Sequence, residues 1–600
     1  MRAQSVDNAT SGQSITWLLG PYADPLLFIA IPLAAFPAYR ALAALLSFTF
    51  LKLAVLSVSA TGHHLPGFIR AYTDRSVFEK FRVRLLVVPT LFILLAGMAA
   101  WYRLSVVFFL LIVWSVWHGG MQIMGFLRIY DAKSGLRSAL WARLDFWMCL
   151  AWFVQVVLWA VPKKTSVLSS FYVAGGPLLP LPWALGFGKA WLALTALVTA
   201  GYVIALAADA LGGRRPNPMK LACLAGSIGF WAFCLLRIDN LLIGLLLWEV
   251  FHDMQYNAFV WKYNRRRVER GLSGSRLERF LFAPGWQRLA VYAGCIAAYG
   301  CVGLLTQDVL NAYGTGHGYQ AMFSRIGNVF AASTLIHFYM DGFIWRVRDG
   351  KVQADLGVAG TQGAAAAGGY QDRNEARHWV FVSLLFAGCG LLAASEHFGW
   401  TAGAARRQAD SLADLVPASG YANFIKASHL KTEGRGDSAS WYYGRAIARD
   451  SAYGFAHAYI ADLKAEAGDV GGAAAEYALA LERDPESDLL RENLAALSGK
   501  SGDYARARGL YLELAARDTA NAGFAFGAAF ASLQMKKGLE AKPWLEKTLR
   551  LDPNRPDALT YLGMVHQALG HADSARACYL GALALDSADS LARANLATLP

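Results

Sequence analysis

Six hundred residues that are 56% hydrophobic and only 16% charged exclude a wholly soluble chain. The net charge of +13 would point to nucleic acid in a soluble protein. Here the Lys and Arg fall in short loops between apolar runs, where they read as topology signals, and nucleic acid is excluded as a partner.

The first 13 residues are polar and lack the charged–apolar–small pattern of a cleaved leader, so the first span is expected to do the targeting. Residues 1–400 then read as a polytopic membrane domain of about eleven spans, each close to the 17–25 apolar residues a bilayer needs. They are expected near 21–37, 40–62, 83–101, 104–127, 142–161, 188–209, 219–236, 240–261, 288–306, 323–345 and 378–397. Pro21, Pro25, Pro32 and Pro37 interrupt the first, and only Arg237–Asn240 separates the seventh from the eighth. Basic loops at 70–84, 128–143, 214–220, 262–279 and 346–377 alternate with weakly charged ones, Lys163-Lys164 being a mild exception. By the positive-inside rule the N-terminus is cytoplasmic, the C-terminal part lies outside, and the membrane is a cytoplasmic (inner) one. Residues 351–370, rich in Gly and Ala, read as a mobile loop, and 401–417 as a linker. The cysteines (149, 223, 234, 295, 301, 389, 578) form no Cys-x-x-Cys pair and read as small core residues.

Residues 418–600 repeat. Asp450, Asp484, Asp518, Asp552 and Asp586 recur every 34 residues, as do Tyr443, Tyr477, Tyr511, Leu545 and Tyr579. Gly434, Gly468, Gly502 and Gly570 keep the same interval, with Lys536 breaking the series. This register resembles tetratricopeptide (TPR) repeats. The expected fold is therefore all-α: a transmembrane helical domain followed by a TPR α-solenoid whose groove docks a protein partner.

Three segments of the membrane domain share one design. Trp114–Gln122, Trp248–Tyr256 and Leu335–Asp341 each set a histidine (His118, His252, His337) inside an apolar run that closes on Arg128, Lys262 or Arg346. At 1.5 Å per residue the three imidazoles lie about 14–15 Å in from that boundary. Intramembrane ionisable residues are costly and are usually functional. Gln122, Gln255 and Asp341 stand three or four residues after these histidines, on the same helix face, where an amide or carboxylate can hold the second ring nitrogen of a metal-bound imidazole. His63-His64, at the inner end of the second expected span, supply a fourth element. Asp253 and Tyr256 fall in the His252 segment, and Glu249 is placed to act as base or ligand. Neutral imidazoles with few carboxylates and no thiolate suit iron, then copper or zinc.

These motifs resemble those of the Brp/Blh-type membrane carotenoid dioxygenases. The matching stretches are Gly62-His63-His64, Trp117-His118-Gly-Gly-Met121, His252-Asp-Met-Gln-Tyr-Asn-Ala-Phe-Val-Trp261 and His337-Phe-Tyr-Met-Asp341. The resemblance implies an iron held by His118, His252 and one of His63 or His64. Tyr256 stands where that family has a further histidine, and the first motif lacks the family's nearby Asp. The expected function is an iron-dependent membrane oxidase or oxygenase acting on a lipid or isoprenoid. The alternatives are a TPR membrane anchor or assembly scaffold without catalysis, and a polyprenyl-phosphate-dependent glycosyltransferase using Asp24.

Overall fold

The computed structural model describes residues 16–600 except 137, 215, 239, 274, 305–316, 346–370 and 400–401. The boundary residue Arg346, the 351–370 loop and the polar N-terminal 13 residues lie outside the described residues. Among those described, the chain is helical throughout and contains no strand. It divides into two compact units, Met1–Val416 and Pro417–Pro600.

The first unit opens with a π-helical stretch, Leu26–Ala30, that runs into α1 (Ile31–Ala43). It continues through α2 (Phe48–Ala54), α3 (His64–Thr73), α4 (Arg75–Tyr102), α5 (Val106–Lys133), α6 (Ala139–Trp159) and α7 (Val161–Val173). Next come α8 (Leu181–Leu211), α9 (Pro218–Leu236), α10 (Leu241–Glu269), α11 (Arg276–Leu281), α12 (Trp286–Leu304), α13 (His317–Ile344), α14 (Gln371–Gly399) and α15 (Ala402–Leu415). Seven helices among the described residues are long and apolar enough to cross a membrane: Ala23–Ala43, α4, α5, α6, α8, α9 and Glu375–Gly399. The helix α10 is not one of them, because Glu249, His252 and Asp253 interrupt its apolar run.

Two expectations need correction. The span expected at 40–62 is broken: α1 ends at Ala43, and Ser47 caps a new helix by accepting from Phe50 N–H. That helix then passes into a π-helical segment, Val55–Thr61, directly before His63. The stretch expected as a linker at 401–417 contains α15. It is held to α7 by the Tyr172–Ser411 hydroxyl pair (2.8 Å) and by Gln408 Nε2 donating to the Tyr172 carbonyl (3.0 Å).

Two apolar cores organise this unit. One joins α5, α6, α9 and α10 through Phe126, Phe153, Trp231, Trp248 and Phe251. The other joins α4, α13 and α14 through Phe92, Leu335, Tyr339, Met340 and Val382. Trp345 packs against both.

The second unit stacks antiparallel helix pairs in a 34-residue register, a TPR-type fold. Each aspartate of the series is the residue at which the second helix of a pair ends. Tyr443, Tyr477, Leu545 and Tyr579 are buried between neighbouring pairs. The glycine series marks turns with φ between 72° and 85°, and Lys536 takes the same left-handed conformation at φ 60°. Only glycine adopts that conformation without a Cβ penalty.

Candidate metal centre

His118 on α5 and His252 on α10 extend from the first core, and His337 on α13 extends from the second. His63 and His64 arrive from the junction between the π-helical turn and α3. All five rings are buried and form one continuous cluster. Ring centroids are 4.7 Å apart for His63–His64, 4.5 Å for His63–His337, 4.7 Å for His64–His337, 5.0 Å for His118–His337, 5.1 Å for His118–His252 and 5.8 Å for His63–His252. The helices meet this closely because small residues stand at the crossings. A Cβ on Gly62 would come within 2.8 Å of the Ile296 carbonyl oxygen, and one on Gly119 within 3.3 Å of Trp248.

The ring nitrogens are sorted by their partners. His63 Nδ1 lies 2.8 Å from the Ser59 carbonyl oxygen, which can only accept, so Nδ1 carries the proton and Nε2 keeps its lone pair. Asp253 Oδ1 stands 3.0 Å from the same Nδ1, and the other Asp253 oxygen accepts from the Ser59 hydroxyl. His64 Nδ1 meets Ser333 Oγ at 3.1 Å, and that hydroxyl in turn pairs with Tyr299 OH at 2.7 Å. Six buried ring nitrogens have no hydrogen-bond partner among the described residues: Nε2 of His63, His64 and His118, Nδ1 of His252, and both nitrogens of His337. Burying each unsatisfied costs about 1–3 kcal/mol, so the set costs on the order of 10 kcal/mol with nothing bound. A cation bound to the lone-pair nitrogens among them removes much of that cost. The donor set therefore fits a metal: in the triads His63–His64–His337, His63–His118–His252 and His118–His337–Asp341, one donor atom from each residue lies within 4.8 Å of the others.

The polar neighbours take roles that differ from those expected of same-face pairs. Gln122 does not reach the His118 ring; its Nε2 donates to the His252 carbonyl at 3.0 Å and ties α5 to α10. The Gln255 amide is buried with neither atom partnered among the described residues. Asp341 Oδ2 is 3.6 Å from His337 Nε2, beyond hydrogen-bond reach, while its Oδ1 accepts from Tyr256 OH (3.1 Å) and Trp345 Nε1 (3.2 Å). Glu249 interacts electrostatically with Asp253, His63 and Lys163. The carboxylate that serves an imidazole directly is thus Asp253, and it acts across helices. Ser59, Ser333, Tyr299 and Trp345 were not singled out from sequence as site residues: Ser59 and Trp345 stand four residues from His63 and Asp341 on the same segments, whereas Ser333 meets His64, and Tyr299 meets Ser333, from other segments.

Three further groups are placed differently from expectation. Arg128, expected at the start of a basic loop, joins a buried ion cluster with Asp131 (2.6 Å), Asp145 (3.0 Å) and Lys220, whose Nζ lies 2.8 Å and 2.9 Å from the two carboxylates. Asp24 is fully buried and spends its oxygens on Leu18, Leu19 and Gly20 N–H and on Tyr130 OH. That leaves it a loop anchor and removes the residue on which the glycosyltransferase reading stood. Arg70 is buried between the rings of Tyr263 (4.4 Å) and Trp345 (4.2 Å), and its Nε and Nη1 have no partner among the described residues.

No family model matches the chain, and no curated protein matches it. Among solved structures, the chain is similar to YrrB, titled a TPR protein with an unusual peptide-binding site, at 15% identity over 31% of this chain and 96% of that one, TM-score 0.29. It is also similar to the MamA protein, at 17% identity over 28% of this chain and 92% of that one, TM-score 0.26. A MamA fragment from Desulfovibrio magneticus RS-1 aligns at 15% identity over 28% and 97%, TM-score 0.26.

Proposed function

We propose that the membrane unit is a metal-dependent oxidoreductase acting on a lipid or isoprenoid, and that the repeat unit docks a protein partner. One observation carries the reading: five buried imidazoles from four segments present unpartnered nitrogens to one another. Iron ranks first, with copper and zinc as alternatives, because the donors are neutral imidazoles with a carboxylate and no thiolate. A bound redox iron supplies oxygen activation toward an unactivated C–H or C=C bond.

The protein residues do the rest. His63 is locked in one tautomer by the Ser59 carbonyl, and Asp253 backs its N–H. Tyr256 and Trp345 orient Asp341 and hold a proton next to it. The two apolar cores keep water from the cluster. With the basic loops cytoplasmic, the cluster lies in the inner leaflet and the repeats lie outside.

The test is metal analysis of full-length protein after iron-replete expression, with His118→Ala and His252→Ala as controls. Stoichiometric iron that both substitutions lower supports the centre. A wild-type protein free of metal refutes it. The remaining reading is then an anchored scaffold, which the intact series of stacked helix pairs favours.

A further inference from the structure

The cluster contains more donors than one ion can gather in this arrangement. Ligands about 2.0–2.1 Å from a single ion lie within about 4.2 Å of one another, even when opposed. Among the described residues, the donor atoms approach within 4.8 Å only in the three overlapping triads, never as a set of five. His63, His118 and His337 each belong to two of these triads.

The sharing residues differ in what they can give. His63 has one nitrogen to offer, since Nδ1 is taken by the Ser59 carbonyl. It can serve one ion only. His337 has both ring nitrogens unpartnered, and it is common to the His63–His64 triad and to the His118–Asp341 triad. His252 adjoins the second group, with its ring 5.1 Å from that of His118 and its Nδ1 unpartnered.

From this we infer that the centre takes two metal ions bridged by His337, a deepening that rests on the metal-centre reading above. One ion is held by His63, His64 and one His337 nitrogen. The other is held by His118, the second His337 nitrogen and Asp341, with His252 completing the group. Bound at both nitrogens, the His337 ring would be an imidazolate, its single N–H proton released as the second ion is loaded.

Titration of metal-depleted, detergent-purified full-length protein with cobalt(II) alone, followed by its visible absorption, tests this without a catalytic assay. The expected saturation is at two equivalents per chain. Saturation at one equivalent overturns the paired centre and leaves a single-ion site standing. No specific binding overturns both readings. Variants then test the division: His64→Ala is expected to leave one equivalent, and so is His252→Ala. Copper(II) loading gives a second readout, an exchange-coupled paramagnetic resonance signal in wild type that His64→Ala converts to that of an isolated ion. Retention of two equivalents by His64→Ala, or an isolated-ion signal in fully loaded wild type, overturns the bridge.

Discussion

Tyr256→Phe tests whether the hydrogen bonds around the cluster serve the metal or only the fold. The phenol donates to Asp341 Oδ1 at 3.1 Å and accepts from Trp345 Nε1 at 3.3 Å, and the same indole N–H also reaches Asp341 Oδ1 at 3.2 Å. Phenylalanine keeps the ring, which packs edge-on against His337 with centroids 5.3 Å apart. The change therefore deletes one donor and one acceptor without opening a cavity. Trp345 remains as a donor to Asp341, so the fold should lose only about 1 kcal/mol, the net value of one buried hydrogen bond. Metal affinity should fall more, about tenfold or somewhat beyond, because a carboxylate ligand loses one of the two groups that orient it. The assay is transfer of metal to a graded series of chelators, run beside thermal unfolding of the same sample. A variant that unfolds earlier by the expected amount but holds metal as tightly as wild type refutes the reasoning. It would show that the Tyr256–Trp345–Asp341 network braces α10 against α13 and nothing else.

Gly62→Ala should destabilise the membrane unit by several kcal/mol, on the order of 3, because its Cβ would stand 2.5 Å from the Val58 carbonyl oxygen and 2.8 Å from that of Ile296. Metal content and detergent thermal stability should fall together. Lys220→Met should cost about 3–5 kcal/mol by leaving Asp131 and Asp145 against Arg128 alone, and Asp145→Asn in the same chain should recover part of it in thermal unfolding. Lys536→Gly should raise the unfolding midpoint of the repeats by the equivalent of about 1 kcal/mol, since it relieves a left-handed residue at φ 60°. Glu476 is partly buried, which alone would raise its pKa, but Lys464 (2.8 Å) and His457 (2.6 Å) hold it below the ordinary value of 4.5. Its folded pKa being the lower one, its stabilisation is present above pH 4.5 and is lost as acid takes the pH down through the folded value. Glu476→Gln should lower repeat stability at pH 7 and flatten the acid limb of its unfolding profile.

The repeats were legible because a 34-residue period carries its own register: the aspartates end helices, the glycines turn, and the tyrosines fill the interfaces. The histidines were legible for a different reason, their equal distance from basic boundaries on separate apolar runs. What sequence could not supply was contact between segments. A spacing of three or four residues says that Gln122 and His118 share a face, but not that Gln122 will instead bond the His252 carbonyl on another helix. Asp253 was read with its own neighbour His252, yet it faces His63, because a π-helical turn brings Ser59 and His63 toward α10. The same blindness made α15 a linker, since what fastens it is the Tyr172 side chain and backbone of α7.

Hydropathy itself carried a clue that runs against its usual use. The helix α10 fails the test of an apolar span because of Glu249, His252 and Asp253, residues that lie at or beside the cluster. Such a helix cannot sit exposed to acyl chains at an acceptable cost, so it must be enclosed by others. Trp248, Phe251, Phe259 and Val260 are indeed buried against α5, α9 and their neighbours. Exposed apolar side chains such as Trp183, Leu197 and Ile204 lie on α8, a helix long and apolar enough to cross a membrane. The polar middle of α10 is thereby enclosed by other helices. In a polytopic chain, the helix that scores worst as a span while lying among good ones is the first place to look for a site. Here that rule and the matched-depth rule converge on His252 from independent directions.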